Sequence, residues 1–230
     1  MNPGKRDTAT QLPVSSEMVD WLGSPSDSTV LYFNNIFSSD STSKNDDPEF
    51  ARSLTSFISW TMYHLREPVF SVRSLDVPVF RVVVFQGRGR LLIVRAAKLE
   101  DSVEIISKTD VNGGLGVIPT SDSVRIFHYS SAVWDTLTWL ADSCSFWSPS
   151  AHEQIHPFDW RTVWIMEAQN KGTYSFHCAD YPIANQDKRR FSLVCLYLLS
   201  LGDIHARPWE SFHFDPREAY DWIKDGSTSH

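Results

Sequence analysis

Apolar positions along the chain change period several times, and each change marks a predicted element. In "NDDPEFARSLTSFISWTMYHLRE" the residues Leu54, Phe57, Ile58, Thr61, Met62 and Leu65 recur at helical spacing. Asp47 is placed to cap, Pro48 suits the first turn and Pro68 closes the segment, which predicts a helix over 48–66. The stretches "VFSVRSL", "VPVFRVVVFQ", "RLLIVRAAKL" and "SVEIISKTDV" then read as strands of an antiparallel meander. Glycines in "QGRGR" and "NGGLG" read as turn residues, because neither run has the spacing of a nucleotide fingerprint leading into a helix.

A second helix is predicted over 130–146, with Val133, Trp134, Leu137, Leu140 and Ala141 on one face and Ser130 or Ser131 as cap. "TVWIMEAQNKGTYSFHC" is a hairpin around Asn170-Lys171-Gly172. A three-residue loop there sets Trp164 against Cys178, Met166 against Phe176 and Ala168 against Tyr174. The other face of that hairpin carries Glu167 opposite Ser175, with His177 on the diagonal. Glu167 and His177 are thus a candidate acid/base couple or polar contact, although a cross-strand pair on a wet sheet face explains them as simply.

A third helix over 188–201 buries Phe191, Val194, Cys195, Leu198 and Leu199 and is stopped by Gly202. A short last helix is capped by Asp215, primed by Pro216 and ended at Gly226. Residues 1–46 are rich in Ser, Thr, Asp and Asn and read as a polar, partly ordered arm, with one strand near Thr29 to Phe33 docking on the body. The expected fold class is therefore α+β: a single domain over 47–226, with an antiparallel sheet of five or more strands packed by three main helices and the short C-terminal one. Residues 227–230 are a tail.

Composition narrows the function classes. The 230 residues are 42% hydrophobic, enough for a core, and 28 acidic against 21 basic side chains give a net charge of -7, which disfavours nucleic acid and anionic lipid. Cys144, Cys178 and Cys195 form no C-x-x-C pair, so reduced thiols are expected rather than disulfides or a thiolate metal knuckle. The first residues lack a signal-peptide core and no stretch is apolar enough to span a bilayer. A cytoplasmic protein is expected, with no membrane contact and no cofactor.

One stretch spells a known chemistry. His152-Glu153-Gln154-Ile155-His156 matches the H-E-x-x-H pattern, in which two histidines one helical turn apart hold zinc and the glutamate activates water. That arrangement needs a helix, and Pro149 and Pro157 flank the motif so closely that His156 is biased away from helical angles. The pattern therefore reads as a coincidence of a loop, and a zinc-dependent hydrolase with His152 and His156 as ligands and Glu153 as base is kept as the alternative function. Cys178 and His177 alternate faces of a strand and form no nucleophile pair. His64 and His128 read as boundary histidines.

Phe146-Trp147, Trp164, Glu167, Tyr174, Pro182 and the apolar helix from Arg189 stand in an order that resembles a bacterial protein family of unknown function. The likeness runs from about Pro68 to Leu201. It implies an α+β architecture and puts the His152 to His156 stretch in a variable loop between the Phe-Trp helix and the hairpin. Where that family has a histidine and an arginine, this chain has Ser175 and Ala179, so the resemblance implies no activity.

The function expected from these residues is that of a non-catalytic protein-interaction module, of the immunity or inhibitor type, whose partner is another protein. Its contact anchors are expected to be Trp209, Phe212, Tyr220 and Trp222, the aromatic residues with least evident core duty. Docking of the last helix on the body accounts for the same rings.

Overall fold

A computed structural model describes residues 32–33, 48–71, 75–86, 90–110, 121–148, 162–180 and 189–204. They form an α+β fold with one antiparallel sheet of six strands in the order β4-β3-β2-β1-β5-β6. The strands are β1 (Val79–Gln86), β2 (Arg90–Lys98), β3 (Ser102–Asp110), β4 (Ser121–Ser130), β5 (Thr162–Asn170) and β6 (Thr173–Asp180). Three helices cover the sheet: α1 (Pro48–His64), α2 (Ala132–Ser143) and α3 (Arg189–Leu201).

The near-continuous apolar run of β1 follows from its place, because a central strand with helices on both faces has no wet side. Phe80, Val82 and Val84 join Val94, Ala96, Ile105, Trp164 and Met166 in a core under α2 and α3. Val83 faces the other way, with Leu91, Ile93, Val163 and Ile165, toward Ile58, Met62 and Leu65 of α1. Alternate residues of each strand thus serve two separate cores.

All three helices end alike. The N–H of Glu67 reaches Met62 O and that of Arg66 reaches Tyr63 O; Phe146 and Ser145 repeat the pattern on Ala141 and Asp142, and Ile204 and Asp203 on Leu199 and Ser200. This is the Schellman turn, which needs a left-handed residue just past the helix. Here that residue is never glycine: Arg66, Ser145 and Asp203 have φ of 53, 56 and 54. Gly202 precedes the turn, and its own role is proximity: a Cβ on it would lie 2.7 Å from Val94 Cγ2. The expectation that Gly202 itself stops α3 is corrected accordingly.

Four further expectations change. The hairpin turn holds two residues, Lys171 and Gly172, both with positive φ (49 and 80), so Asn170 pairs with Thr173. Such a turn matches the right-handed twist of the strands, as a three-residue loop with one left-handed position does less directly. Trp164 consequently faces Ala179, Met166 faces His177, Glu167 faces Phe176 and Ala168 faces Ser175. The one-residue difference turns every β6 side chain to the opposite face. "VFSVRSL" supplies no strand at Val69 and Phe70, whose neighbourhood bonds to side chains instead: Arg81 Nη1 donates to Pro68 O and Gln169 Nε2 to Phe70 O. Tyr32 and Phe33 dock fully buried on the α1 side, as a bend rather than a strand. Ser131 caps α2 without a side-chain hydrogen bond.

"RIFHYS", not predicted as a strand, forms the second half of β4, and His128 there is exposed rather than at a boundary. Cys178 and Cys195 are buried and Cys144 half-buried, all as free thiols. No helix among the described residues is long and apolar enough to cross a membrane. The remaining arm residues, the helix expected at 215–226 and the tail lie outside the described residues.

Candidate functional site

A cluster of charges lies between α1 and the sheet. It begins with the Schellman turn, because the left-handed Arg66 reverses the chain so that Glu67 follows directly below the helix end. Register supplies the rest. Arg81 on β1 pairs with Glu167 on β5 and Arg95 on β2, and Lys108 on β3 pairs with Ile93, so all four side chains share the α1 face.

Glu67, Arg81 and Glu167 are each 0% exposed. Arg81 Nε donates to Glu167 Oε1 at 2.6 Å, and Nη2 pairs with the same oxygen. Its Nη1 reaches Glu67 Oε2 at 3.0 Å and Pro68 O at 2.7 Å. The guanidinium lies 4.0 Å from the centre of the Phe70 ring and 5.8 Å from that of Tyr32. Lys108 Nζ sits 2.6 Å from Glu67 Oε1 and donates to the carbonyls of Leu65 (2.7 Å) and Arg66 (3.3 Å). Arg95 Nη1 stands 3.8 Å from Glu67 Oε2. Two hydroxyls close the cluster: Tyr32 donates to Glu67 O and Tyr174 to Glu167 Oε2.

The two carboxylates titrate in opposite directions. Burial alone pushes Glu67 up, but Arg95, Lys108 and Arg81 together outweigh it and hold the carboxyl down at about 2. Glu167 shares only Arg81, and there burial wins over the guanidinium and raises its pKa. Burial also pushes the Tyr174 hydroxyl well up, with the Glu167 charge adding to it. Arg81 stays charged, because Glu167 and Glu67 more than offset its own burial.

These bonds join four parts of the fold. Lys108 satisfies the carbonyls of Leu65 and Arg66 in the turn just past α1. Arg81 ties the Pro68–Phe70 crossing to β1 and β5, and Tyr32 ties in the N-terminal arm. Removal of one partner from such a cluster leaves an uncompensated buried charge, which costs about 3–5 kcal/mol.

Glu167 and His177, expected to share a face, do not. His177 lies on the α2/α3 side, where its Nε2 donates to Phe146 O and its ring stacks on Phe146 with centres 4.7 Å apart. Ser175 Oγ donates to the same carbonyl at 2.9 Å. The two β6 side chains thus hold the turn that ends α2, and the acid/base couple is overturned by the hairpin register. Residues missed from the sequence are Glu67, Arg81, Arg95 and Lys108. Arg81 carried the one available signal, a lone charge inside the apolar run "VFRVVVFQ".

Neither a protein-family model nor a curated protein sequence matches this chain. The likeness to a bacterial family of unknown function accordingly rests on its own residues, which the fold places as follows. Phe146 and Trp147 follow α2, Trp164 is buried on β5, Glu167 is in the charge cluster and α3 begins at Arg189, while Pro182 lies outside the described residues.

Among the described residues, no group of three or more His, Cys, Asp and Glu could hold a metal. His152, Glu153 and His156 lie outside them, as do the expected anchors Trp209, Phe212, Tyr220 and Trp222. The largest apolar exposure in the described part is on β4, at one end of the sheet: Val124 is 53% and Ile126 55% exposed, both on the α1 side, where α1 packs on Val83, Leu91, Ile93, Val163 and Ile165 instead.

Proposed function

We propose that this protein is a non-catalytic protein-interaction module of the cytoplasm, of the immunity or inhibitor type, and that the β4 end of the sheet is its contact surface. The carrying observation is the exposure of Val124 and Ile126 on a terminal strand. A sheet edge presents a row of backbone N–H and C=O groups, and proteins that keep an edge free usually blunt it with lysine, proline or a bulge. From Val124 to Ser130, β4 has neither residue type, and the one irregularity in its pairing with β3 lies before Val124.

The buried charged groups Glu67, Arg81, Glu167 and Lys108 support the same reading, since each is engaged with an opposite charge or a structural carbonyl. An extended segment of a partner added beside β4 gains main-chain bonds, while Val124 and Ile126 supply apolar contact on one face.

The test is affinity capture with the parent chain and with an Ile126→Lys variant. The site is exposed and lies opposite Ile106, so the variant is expected to keep the parent's circular dichroism and melting temperature while losing the recurrent partner at least tenfold. Capture of that partner by the folded variant at unchanged affinity overturns the choice of surface, and the absence of any recurrent partner overturns the interaction reading.

A further inference from the structure

We propose that Tyr32 and Phe33 form a latch over the charge cluster, one that opens apart from the rest of the fold and opens more readily once Glu167 has lost its proton. Side chains hold the latch. In a bend rather than a strand, the N–H of Tyr32 donates to Ser59 Oγ of α1 at 3.1 Å and its hydroxyl donates to Glu67 O. The ring of Phe33 meets that of Phe176 with centres 6.4 Å apart. Leaving costs these contacts, whereas β1 is bonded to a strand on each side, so the dipeptide and β1 belong at opposite ends of the range of local stability.

Register brings the latch to Glu167. Phe176 stands directly opposite Glu167 across the β5 and β6 pair, and the Tyr32 ring lies against the guanidinium that Glu167 holds. Tyr32 and Phe33 thus back two of the neighbours that enclose this carboxyl, and water gains access to it when they leave. The charged and titratable groups that face Glu167 are Arg81 of β1, Tyr174 of β6, Glu67 beyond α1 and Tyr32 itself, with Tyr63 of α1 bearing on Tyr32. Lys108 and Arg95 approach from the Glu67 side.

Above pH 4.5 one carboxyl in this group is left to titrate. Glu67, with its pKa of about 2, is ionised throughout, Arg81 stays charged, and burial pushes the hydroxyls of Tyr32 and Tyr174 up. Burial also raises Glu167, against the pull of the Arg81 charge. The share of that burial supplied by the latch vanishes when it opens, so the closed latch binds the Glu167 proton more tightly than the open one. Closure is therefore favoured most below pH 4.5, and that advantage is lost as pH rises through the raised pKa.

Hydrogen exchange on the full chain from pH 5 to pH 8, corrected for intrinsic rates, tests this without a substitution. The Tyr32 amide is expected to be at least about tenfold less protected than that of Val83 on β1. Its protection is also expected to fall by up to about tenfold per pH unit while Glu167 ionises, since one proton is linked to opening. Equal protection at Tyr32 and Val83 overturns the separate opening, and Tyr32 protection that stays level with pH overturns the link to the proton. Phe33→Ala gives the reciprocal reading. With the latch weakened, the Glu167 carboxyl followed by carbon NMR is expected to titrate at lower pH than in the parent, and a folded variant in which it titrates as before also overturns the proposal.

Discussion

The two faces of the sheet are both covered by helices, yet they are held by different physics. Under α2 and α3 the contacts are those of shape: twenty-two buried residues among those described, from Phe80 to Leu201, with His177, Ser175 and Tyr129 donating to the carbonyls of Phe146 and Leu201 near the helix ends. Under α1 the apolar cluster comprises twelve of the described residues, and the gap between the helix end and the sheet is filled by three cations and two carboxylates. Close packing resists changes of volume and is indifferent to pH. A charge cluster tolerates little change of protonation, because each partner is buried only on the condition that the other stays. One sheet therefore has one face that should fail by overpacking and another that should fail by titration.

The largest effect is expected at Glu67. Its folded-state pKa of about 2 lies below its ordinary 4.5, so the carboxyl adds stability that is complete above pH 4.5 and is lost as pH falls from 4.5 through 2. At about 1.4 kcal/mol per pH unit that interval is worth about 3 kcal/mol. Glu167 works in the opposite sense: a raised pKa favours the folded state below 4.5 and that advantage fades as pH rises toward its folded-state value. Urea unfolding followed from pH 7 down to pH 2 should show Glu67→Gln weaker than the parent by about 3 kcal/mol at pH 7, with the gap closing in acid. A gap independent of pH would show that Glu67 acts through packing, and the contrast between the faces would vanish.

The same contrast explains what the sequence made legible. Helical period and alternation located all three helices within a few residues and five of the six strands, because those signals come from burial of one side of an element. They also put Leu137, Leu140, Val194 and Leu198 in the core. The charge cluster could not be found that way. It unites Glu67, Arg81, Arg95, Lys108 and Glu167 across elements whose juxtaposition is set by strand order β3-β2-β1-β5, and the β1-to-β5 pairing spans 86 residues between Arg81 and Glu167. The Glu167 and His177 couple failed on a single residue of turn length, since parity is the only thing that decides which face of β6 His177 occupies. Lys171 concealed the turn by adopting the left-handed angle usually taken by Gly or Asn.

On the packed face the sharpest probe is Gly202→Ala. The new methyl would sit 2.7 and 3.0 Å from the two γ carbons of Val94 and 3.2 Å from Ser107 Cβ. Val94 is fully buried and branched at Cβ, so it has little rotamer freedom with which to retreat. A loss of about 1–3 kcal/mol is expected from overpacking, the same at pH 7 and pH 4 because no ionisable group is disturbed. A loss that changes with pH would mean that the charge cluster extends its influence through β2 to the opposite face.

The smallest effect should be common to both faces. Arg66 ends α1 and Ser145 ends α2, each left-handed at φ 53 and 56 and each exposed, so a glycine there relieves a backbone cost of about 1–2 kcal/mol while giving back some entropy of the unfolded chain. A net gain of under about 1 kcal/mol is expected for Arg66→Gly and Ser145→Gly alike, read as a rise in urea midpoint with unchanged slope. Ser145→Gly calibrates the backbone term, because its side chain lies apart from the charge cluster. Any shortfall of Arg66→Gly against that value then measures what the arginine side chain contributes beside Lys108 and Glu67. Equal gains would confine the electrostatics of the α1 face to Glu67, Arg81, Arg95, Lys108 and Glu167, and a loss at Arg66 would extend the cluster to the surface above the helix end.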